Sequence, residues 1–182
     1  MANNNILCII DMQKDFTTGV LGNERCAAAI GKIIDYINNS PVRFDEIIFT
    51  RDTHQQNYME TQEGRKLPVP HCIEGTDGWQ VVTEIEAAAA GKADKVIYID
   101  KPTFGSTALE KHFEELGCNS ADTTITFTGV CTGICVISNV ACTKAHCYEA
   151  KVQVVADCCA CVTEDTHNTA IEAMKTFQID II

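Results

Sequence analysis

Four polar stations follow directly on short apolar runs of this 182-residue chain. Asp11 closes ILCIID, Asp52 and His54 follow EIIFT, Lys101 follows KVIYID, and Cys135 lies just beyond TITFTG. A cysteine in the first turn of a helix meets unpaired backbone N–H groups and the positive end of the helix dipole. Both favour thiolate, and the same donors could hold an oxyanion if the sulfur attacked a carbonyl. Asp11 could take the thiol proton and hand it to a leaving amine, while Lys101 would favour the thiolate and keep Asp11 ionised. Asp52, His54 and His71 offer an oxygen and two imidazoles, a set that suits zinc, iron or manganese, and Glu60 or Glu63 could complete it. Read singly, each residue has an ordinary explanation: a buried apolar cysteine, a solvated strand terminus, a surface lysine, a loop hydrogen bond. Their shared position at one end of the strands makes a joint accident much rarer.

The elements that would place them alternate in type. Residues 6–11, 46–50, 95–100, 124–129, 151–157 and 178–182 are short and rich in β-branched side chains, which reads as buried strands. Residues 23–38, 78–90, 106–116, 133–148 and 164–177 carry helical periodicity, with Ser106, Thr132 and Thr163 placed as N-caps. The pattern predicts a doubly wound, Rossmann-like α/β fold, an open sheet of about six mainly parallel strands with helices on both faces, as one domain over residues 1–182. In such a sheet the ligand site lies beyond the carboxyl ends of the strands, where the four stations fall. Residues 51–77 form a long irregular stretch holding His54 and His71, and a loop of that length in a compact domain is usually functional. His112, His146 and His167 fall in helical segments without a paired ligand and read as structural or surface residues.

Composition narrows the partners. Apolar residues make up 46% and charged residues 21%, values of a globular chain rather than a disordered or fibrous one. Fourteen basic against 25 acidic residues give a net charge of −11, which repels phosphate backbones and anionic lipid, so nucleic acid and membrane are not expected. The expected partners are a small molecule and further copies of the chain. Eleven cysteines, an odd number in a chain of this length, read as reduced thiols. With no visible signal segment at MANNNILCIID, they point to a cytoplasmic protein. Cys131 and Cys135, with Cys158, Cys159 and Cys161 near another strand end, lack the spacing of a strong structural zinc site.

Four segments resemble the isochorismatase-like cysteine hydrolases, whose best-known members are nicotinamidases: IIDMQKDF (9–16), the stretch from TRDTH to PVPHCIEGT (50–76), IDKPTFGST (99–107) and TGVCTGICV (128–136). The resemblance covers nearly the whole chain. It implies a catalytic triad of Asp11, Lys101 and Cys135, an oxyanion hole of the Cys131 and Cys135 backbone N–H groups, and a cis peptide at Val130–Cys131. It also implies a divalent metal, zinc first with iron or manganese as alternatives, on Asp52, His54, His71 and either Glu63 or Glu60, with Glu63 favoured by its spacing from His71. Phe16 and Phe104 would wall the substrate pocket. The implied reaction is hydrolysis of a small amide through a thioester with release of ammonia, nicotinamide being the leading substrate. Two features depart from the pattern. Only two metal-loop histidines are present, and Leu67-Pro68-Val69-Pro70-His71 lacks the aromatic residue that usually precedes the Pro-x-His. Another small amide or carbamoyl substrate is therefore the first rival, and a non-enzymatic thiol- or metal-binding protein the second.

Overall fold

A computed structural model describes residues 4–182; Met1, Ala2 and Asn3, where the signal-segment reading begins, lie outside the described residues. Six strands form one all-parallel sheet in the order β3-β2-β1-β4-β5-β6: β1 Asn4–Ile10, β2 Phe44–Asp52, β3 Ala93–Lys101, β4 Thr123–Val130, β5 Lys151–Ala160 and β6 Asp180–Ile181. Alternate residues of β1 feed two cores. Ile6, Cys8 and Ile10 pack under α5 (Thr107–Glu115), α6 (Ile137–His146) and α7 (Glu164–Thr176). Leu7 and Ile9 pack under α2 (Glu24–Asn39) and α4 (Thr83–Ala90) on the opposite face. Burial on both faces explains why the strands read as continuous apolar runs rather than alternating ones. Two short helices, α1 (Lys14–Thr17) and α3 (Gln62–Lys66), escaped the sequence reading. Among the described residues no helix is long and apolar enough to cross a membrane.

The chain winds outward from β1 to β3 and then from β4 to β6 on the other side, so the order reverses between β1 and β4. That reversal opens a crevice beyond the two carboxyl ends, the position where such sheets bind ligands. Gly129 makes the close approach possible. It pairs with Ile10, has φ +116°, and an added Cβ would lie 2.1 Å from the Ile10 carbonyl oxygen.

Three expectations are corrected here. The segment read as a helix from residue 78 becomes helical only at Thr83. Its first residues instead tie back to the β1 exit, with Val82 N–H donating to the Met12 carbonyl at 2.9 Å and Lys14 N–H to the Gln80 carbonyl at 2.9 Å. The last strand is only Asp180–Ile181. Thr132 caps no helix, because a π turn, Thr132–Val136, precedes α6 and the Thr132 hydroxyl bonds to His167 Nδ1 at 2.8 Å. Ser106 and Thr163 do cap α5 and α7.

Candidate active site

Asp11 sits immediately after β1 with φ 49°, a left-handed conformation that side chains other than glycine seldom adopt and that concentrates at functional positions. Its N–H is 3.2 Å from the Thr50 carbonyl, and the Thr50 hydroxyl donates to Asp11 Oδ1 at 2.6 Å, so β2 fixes both ends of the residue. Lys101, the last residue of β3, lies opposite Asp52 in the β2–β3 register. Its Nζ is 2.6 Å from Asp11 Oδ2, 3.9 Å from Asp52 Oδ1, and donates to the Thr103 carbonyl at 3.0 Å. The Asp11 and Lys101 side chains are both fully buried. The Lys101–Asp11 approach is an ion pair without hydrogen-bond alignment, which leaves Oδ2 without an aligned donor. The Cys135 thiol, itself buried, lies near enough for the charges of Asp11 and Lys101 to act on it. The structure thus brings Asp11, Lys101 and Cys135 together from β1, β3 and the turn after β4.

Electrostatics corrects the expectation of a ready-made thiolate. Burial pushes the Cys135 thiol well above its usual range, and the Asp11 carboxylate beside it raises it further against the opposing pull of Lys101. Desolvation outweighs the helix-terminus effect because the sulfur lies inside a π turn with a carboxylate at its side. Burial alone would discharge Lys101, but the Asp11 and Asp52 carboxylates around it hold the ammonium above its ordinary range. Burial raises Asp11 itself, with Lys101 opposing. These directions keep the thiol neutral beside the Lys101 ammonium, which in turn opposes protonation of Asp11. The Val130–Cys131 peptide is cis, and Asn139 Nδ2 donates to both the Cys135 carbonyl (2.8 Å) and the Phe104 carbonyl (3.0 Å), tying the turn to the segment after β3.

Beside this group, one ligand atom each from Asp52, His54, Glu63 and His71 lie within 4.8 Å of one another, an arrangement that could hold a metal ion. His54 Nε2 and His71 Nε2 lie 3.0 and 3.4 Å from Asp52 Oδ2, and 3.7 and 3.8 Å from Glu63 Oε1. Glu63, not Glu60, joins the cluster, because it stands in α3 while Glu60 stands in the preceding Tyr58–Glu60 turn. His71 Nδ1 is 2.8 Å from the Val69 carbonyl, a bond that fixes the ring and turns Nε2 inward. Burial would raise Asp52, but hydrogen bonds from His54 and His71 hold its carboxyl far below the usual range. Burial and the neighbouring Asp52 push Glu63 up. Two carboxylates, Asp52 and Glu63, stand with the two imidazoles, and Lys101 is already paired with Asp11, so the donor set carries a charge that a divalent cation would balance.

The residues that hold this loop in place were not singled out in the sequence. Gln13, fully buried, pairs with the Asp52 backbone through Nε2 to the carbonyl (2.8 Å) and Oε1 from the N–H (2.7 Å). Asp15 accepts from Cys72 N–H at 2.7 Å, and only glycine fits at position 78, where a Cβ would lie 2.2 Å from Asp15 Oδ1. The Tyr58 ring lies 4.7 Å from that of His54 and 5.0 Å from that of His71. Phe16 packs on His71 with centroids 5.4 Å apart, whereas Phe104 is 47% exposed and meets the site through its carbonyl. His112 pairs with Glu46 and His167 with Thr132, so two of the histidines set aside in the sequence do have partners.

Comparison with known proteins agrees with this architecture. The chain is 26% identical over 161 residues to the nicotinamidase of Acinetobacter baylyi, covering 74% of this chain and 72% of that one. Its fold matches the pyrazinamidase/nicotinamidase of Streptococcus mutans (TM-score 0.79, 23% identity, 98% of this chain and 100% of that one). It also matches the pyrazinamidase of Pyrococcus horikoshii solved in complex with zinc (TM-score 0.73, 23% identity, 98% of each chain). The isochorismatase domain model matches residues 5–182, and the chain belongs to that family as an isochorismatase-like hydrolase.

Proposed function

We propose that the protein is a metal-assisted cysteine amidohydrolase that cleaves a small carboxamide through a thioester, with nicotinamide as the leading substrate. The observation that carries the reading is the Asp11–Lys101 pair, 2.6 Å apart and fully buried, whose charges act on the buried Cys135 thiol at the sheet's switch point. Asp11 takes the thiol proton as Cys135 Sγ attacks the amide carbon, so thiolate forms only as it is used. The backbone N–H groups of Cys131 and Cys135 receive the oxyanion. Asp11 passes the proton to the departing nitrogen, ammonia leaves, and a water deprotonated by the same carboxylate hydrolyses the thioester. Lys101 keeps Asp11 anionic between these transfers. Asp52, His54, Glu63 and His71 would hold the divalent ion, zinc first with iron and manganese as alternatives. When bound, it supplies a Lewis acid that can orient a ring nitrogen or a water.

A second reading, a linear amide or carbamoyl compound as substrate, is favoured by one feature: no aromatic residue stands in the segment 67–70 before His71. Ammonia release on nicotinamide, pyrazinamide, aliphatic amides and N-carbamoyl amino acids tests both. Turnover of the heteroaromatic amides with none of the linear ones supports the first reading, and the reverse supports the second. No release from any, by metal-loaded protein, would overturn the amidohydrolase.

A further inference from the structure

One buried amide side chain joins the nucleophile to the loop that follows Lys101. Asn139 stands in the first turn of α6 and is 0% exposed. Its Nδ2 donates to the Cys135 carbonyl at 2.8 Å and to the Phe104 carbonyl at 3.0 Å, and its Oδ1 accepts from the Ser106 N–H at 3.0 Å. These partners fix the orientation of the amide. Turned over, it would set its oxygen against two carbonyls and its NH₂ against an N–H. The loop held in this way is anchored at both ends. Lys101 Nζ donates to the Thr103 carbonyl at 3.0 Å, and the Ser106 hydroxyl caps α5 by accepting from the Leu109 N–H at 3.1 Å. A bonded circuit therefore runs from Asp11 to Lys101, through residues 103–106, to Asn139 and the backbone of Cys135. The mechanism proposed above assigns Asn139 no part.

We infer that Asn139 is a positioning residue that clamps the Lys101 loop and the Cys135 turn into one unit and so sets the nucleophile against its acid–base pair. The clamp itself is independent of the proposed function; its consequence for turnover rests on that reading. Asn139 touches no reacting atom and acts through the Cys135 backbone. One NH₂ group supplies the donors for two buried carbonyls, one from each segment, and without it both carbonyls are left unpaired away from water. The segments then separate until each carbonyl finds another donor. A shift of about 1 Å at a reacting atom is enough to lower a rate by about a hundredfold. Aspartate is the substitution that isolates the donor. It matches asparagine in size and still accepts from the Ser106 N–H, but as a carboxylate it offers nothing to the two carbonyls. Burial beside those carbonyl dipoles raises such a carboxyl, and once protonated it regains one donor.

Residue-resolved hydrogen exchange on the metal-loaded wild-type protein tests the clamp without a substrate or a variant. The Ser106 N–H should open together with the Ile134 and Val136 N–H groups of the turn, which bond to the Cys131 carbonyl at 3.0 and 3.1 Å. Segments held as one cooperative unit share their opening equilibrium, so the three protection factors should agree within about tenfold. A wider gap would overturn the clamp. Steady-state ammonia release by Asn139→Asp, on whichever amide the wild type turns over, then tests the positioning. At pH 8 kcat should fall about a hundredfold with KM little changed, and the deficit relative to wild type should shrink as pH falls. The same deficit at every pH would make shape, not the donor, the cause. A rise in KM at unchanged kcat would place Asn139 in substrate binding instead. Either result, or wild-type turnover, would overturn the positioning role. Should Asn139→Asp fail to fold, or should no amide turn over, hydrogen exchange on the wild type still decides the clamp, while an absence of turnover counts against the proposed function alone.

Discussion

At the carboxyl ends of β1, β2 and β3, Asp11, Asp52 and Lys101 are buried together; near the amino end of β2, Glu46 is buried against Lys95 and His112, and Glu110 acts with it on the charge of the buried Cys8 thiol. Both clusters combine carboxylates, a basic partner and buried thiols, and both contain groups moved far from their ordinary pKa. In the first cluster the groups converge on a crevice, and Lys101 shares itself between two carboxylates 2.6 and 3.9 Å away. In the second, Glu46 is satisfied by Lys95 at 2.7 Å and by His112, and the thiols of Cys8, Cys118 and Cys147 are pushed up by burial first and by the Glu46 or Glu110 carboxylate as well. Perturbed groups alone do not make a site; a thiol, a carboxylate and a cation brought together at the sheet's switch point do.

The largest expected effect breaks the first cluster at its sulfur. Cys135→Ala should lower amide turnover by about a thousandfold or more, because a nucleophile has no substitute, while the change is too small to unfold the chain. Steady-state ammonia release together with a melting curve checks this. Near wild-type turnover would erase the distinction between the two clusters.

Lys101→Ala tests the charge arrangement. Removing the ammonium leaves Asp11 and Asp52 buried with one cation fewer, a situation that costs about 3–5 kcal/mol when a buried pair is broken. Denaturant unfolding should show that loss at neutral pH and a smaller one as the pH falls, because Asp11, already raised by burial, takes up a proton more readily once the opposing lysine is gone. A loss that does not change with pH would mean that packing, not charge, is what Lys101 supplies.

His71→Ala is expected to lower bound metal and turnover together by roughly ten- to a hundredfold, with the core unaffected. Metal analysis before and after chelation, with re-addition of zinc, iron or manganese, checks the link. Full turnover by metal-free protein would detach the loop cluster from the chemistry.

These two halves of the site were not equally visible in the sequence. Asp11, Lys101 and Cys135 stand at strand ends, and parallel strands at known positions can only deliver their last residues to one edge. The loop was legible by residue type but not by support. Nothing in the chain announces that Gln13 grips the Asp52 backbone, that Asp15 reaches Cys72, or that Tyr58 walls both imidazoles, since these contacts join segments 39, 57 and up to 13 residues apart through bonds that leave no periodic trace. The expected thiolate failed for a related reason. A helix start can be read from the chain, but the depth of its burial and the carboxylate that folds against it cannot.

The smallest effect belongs to the second cluster. Glu110 accepts from the Thr143 hydroxyl at 3.0 Å through Oε1, while its Oε2 is sealed from solvent without a partner and the rest of the side chain is partly exposed. Burial pushes its carboxyl from 4.5 up to about 7, against the pull of that hydrogen bond. A carboxyl raised on folding binds its proton more tightly in the folded state, so its contribution is complete below pH 4.5 and is lost as pH rises through about 7. Glu110→Gln removes the titration and keeps an acceptor for Thr143, but it buries an amide donor at Oε2, a cost that does not vary with pH. The quantity to read is therefore the trend: wild type should lose stability relative to the variant between pH 5 and 8, by about 1 kcal/mol once the exposed part of the side chain is discounted. Turnover should not change, because no part of this cluster reaches the crevice. Parallel stability curves for the two proteins would show that the Glu110 proton is not linked to folding. A loss of turnover would show that the two clusters are energetically joined through β1, where Cys8 and Asp11 lie on the same strand and its exit.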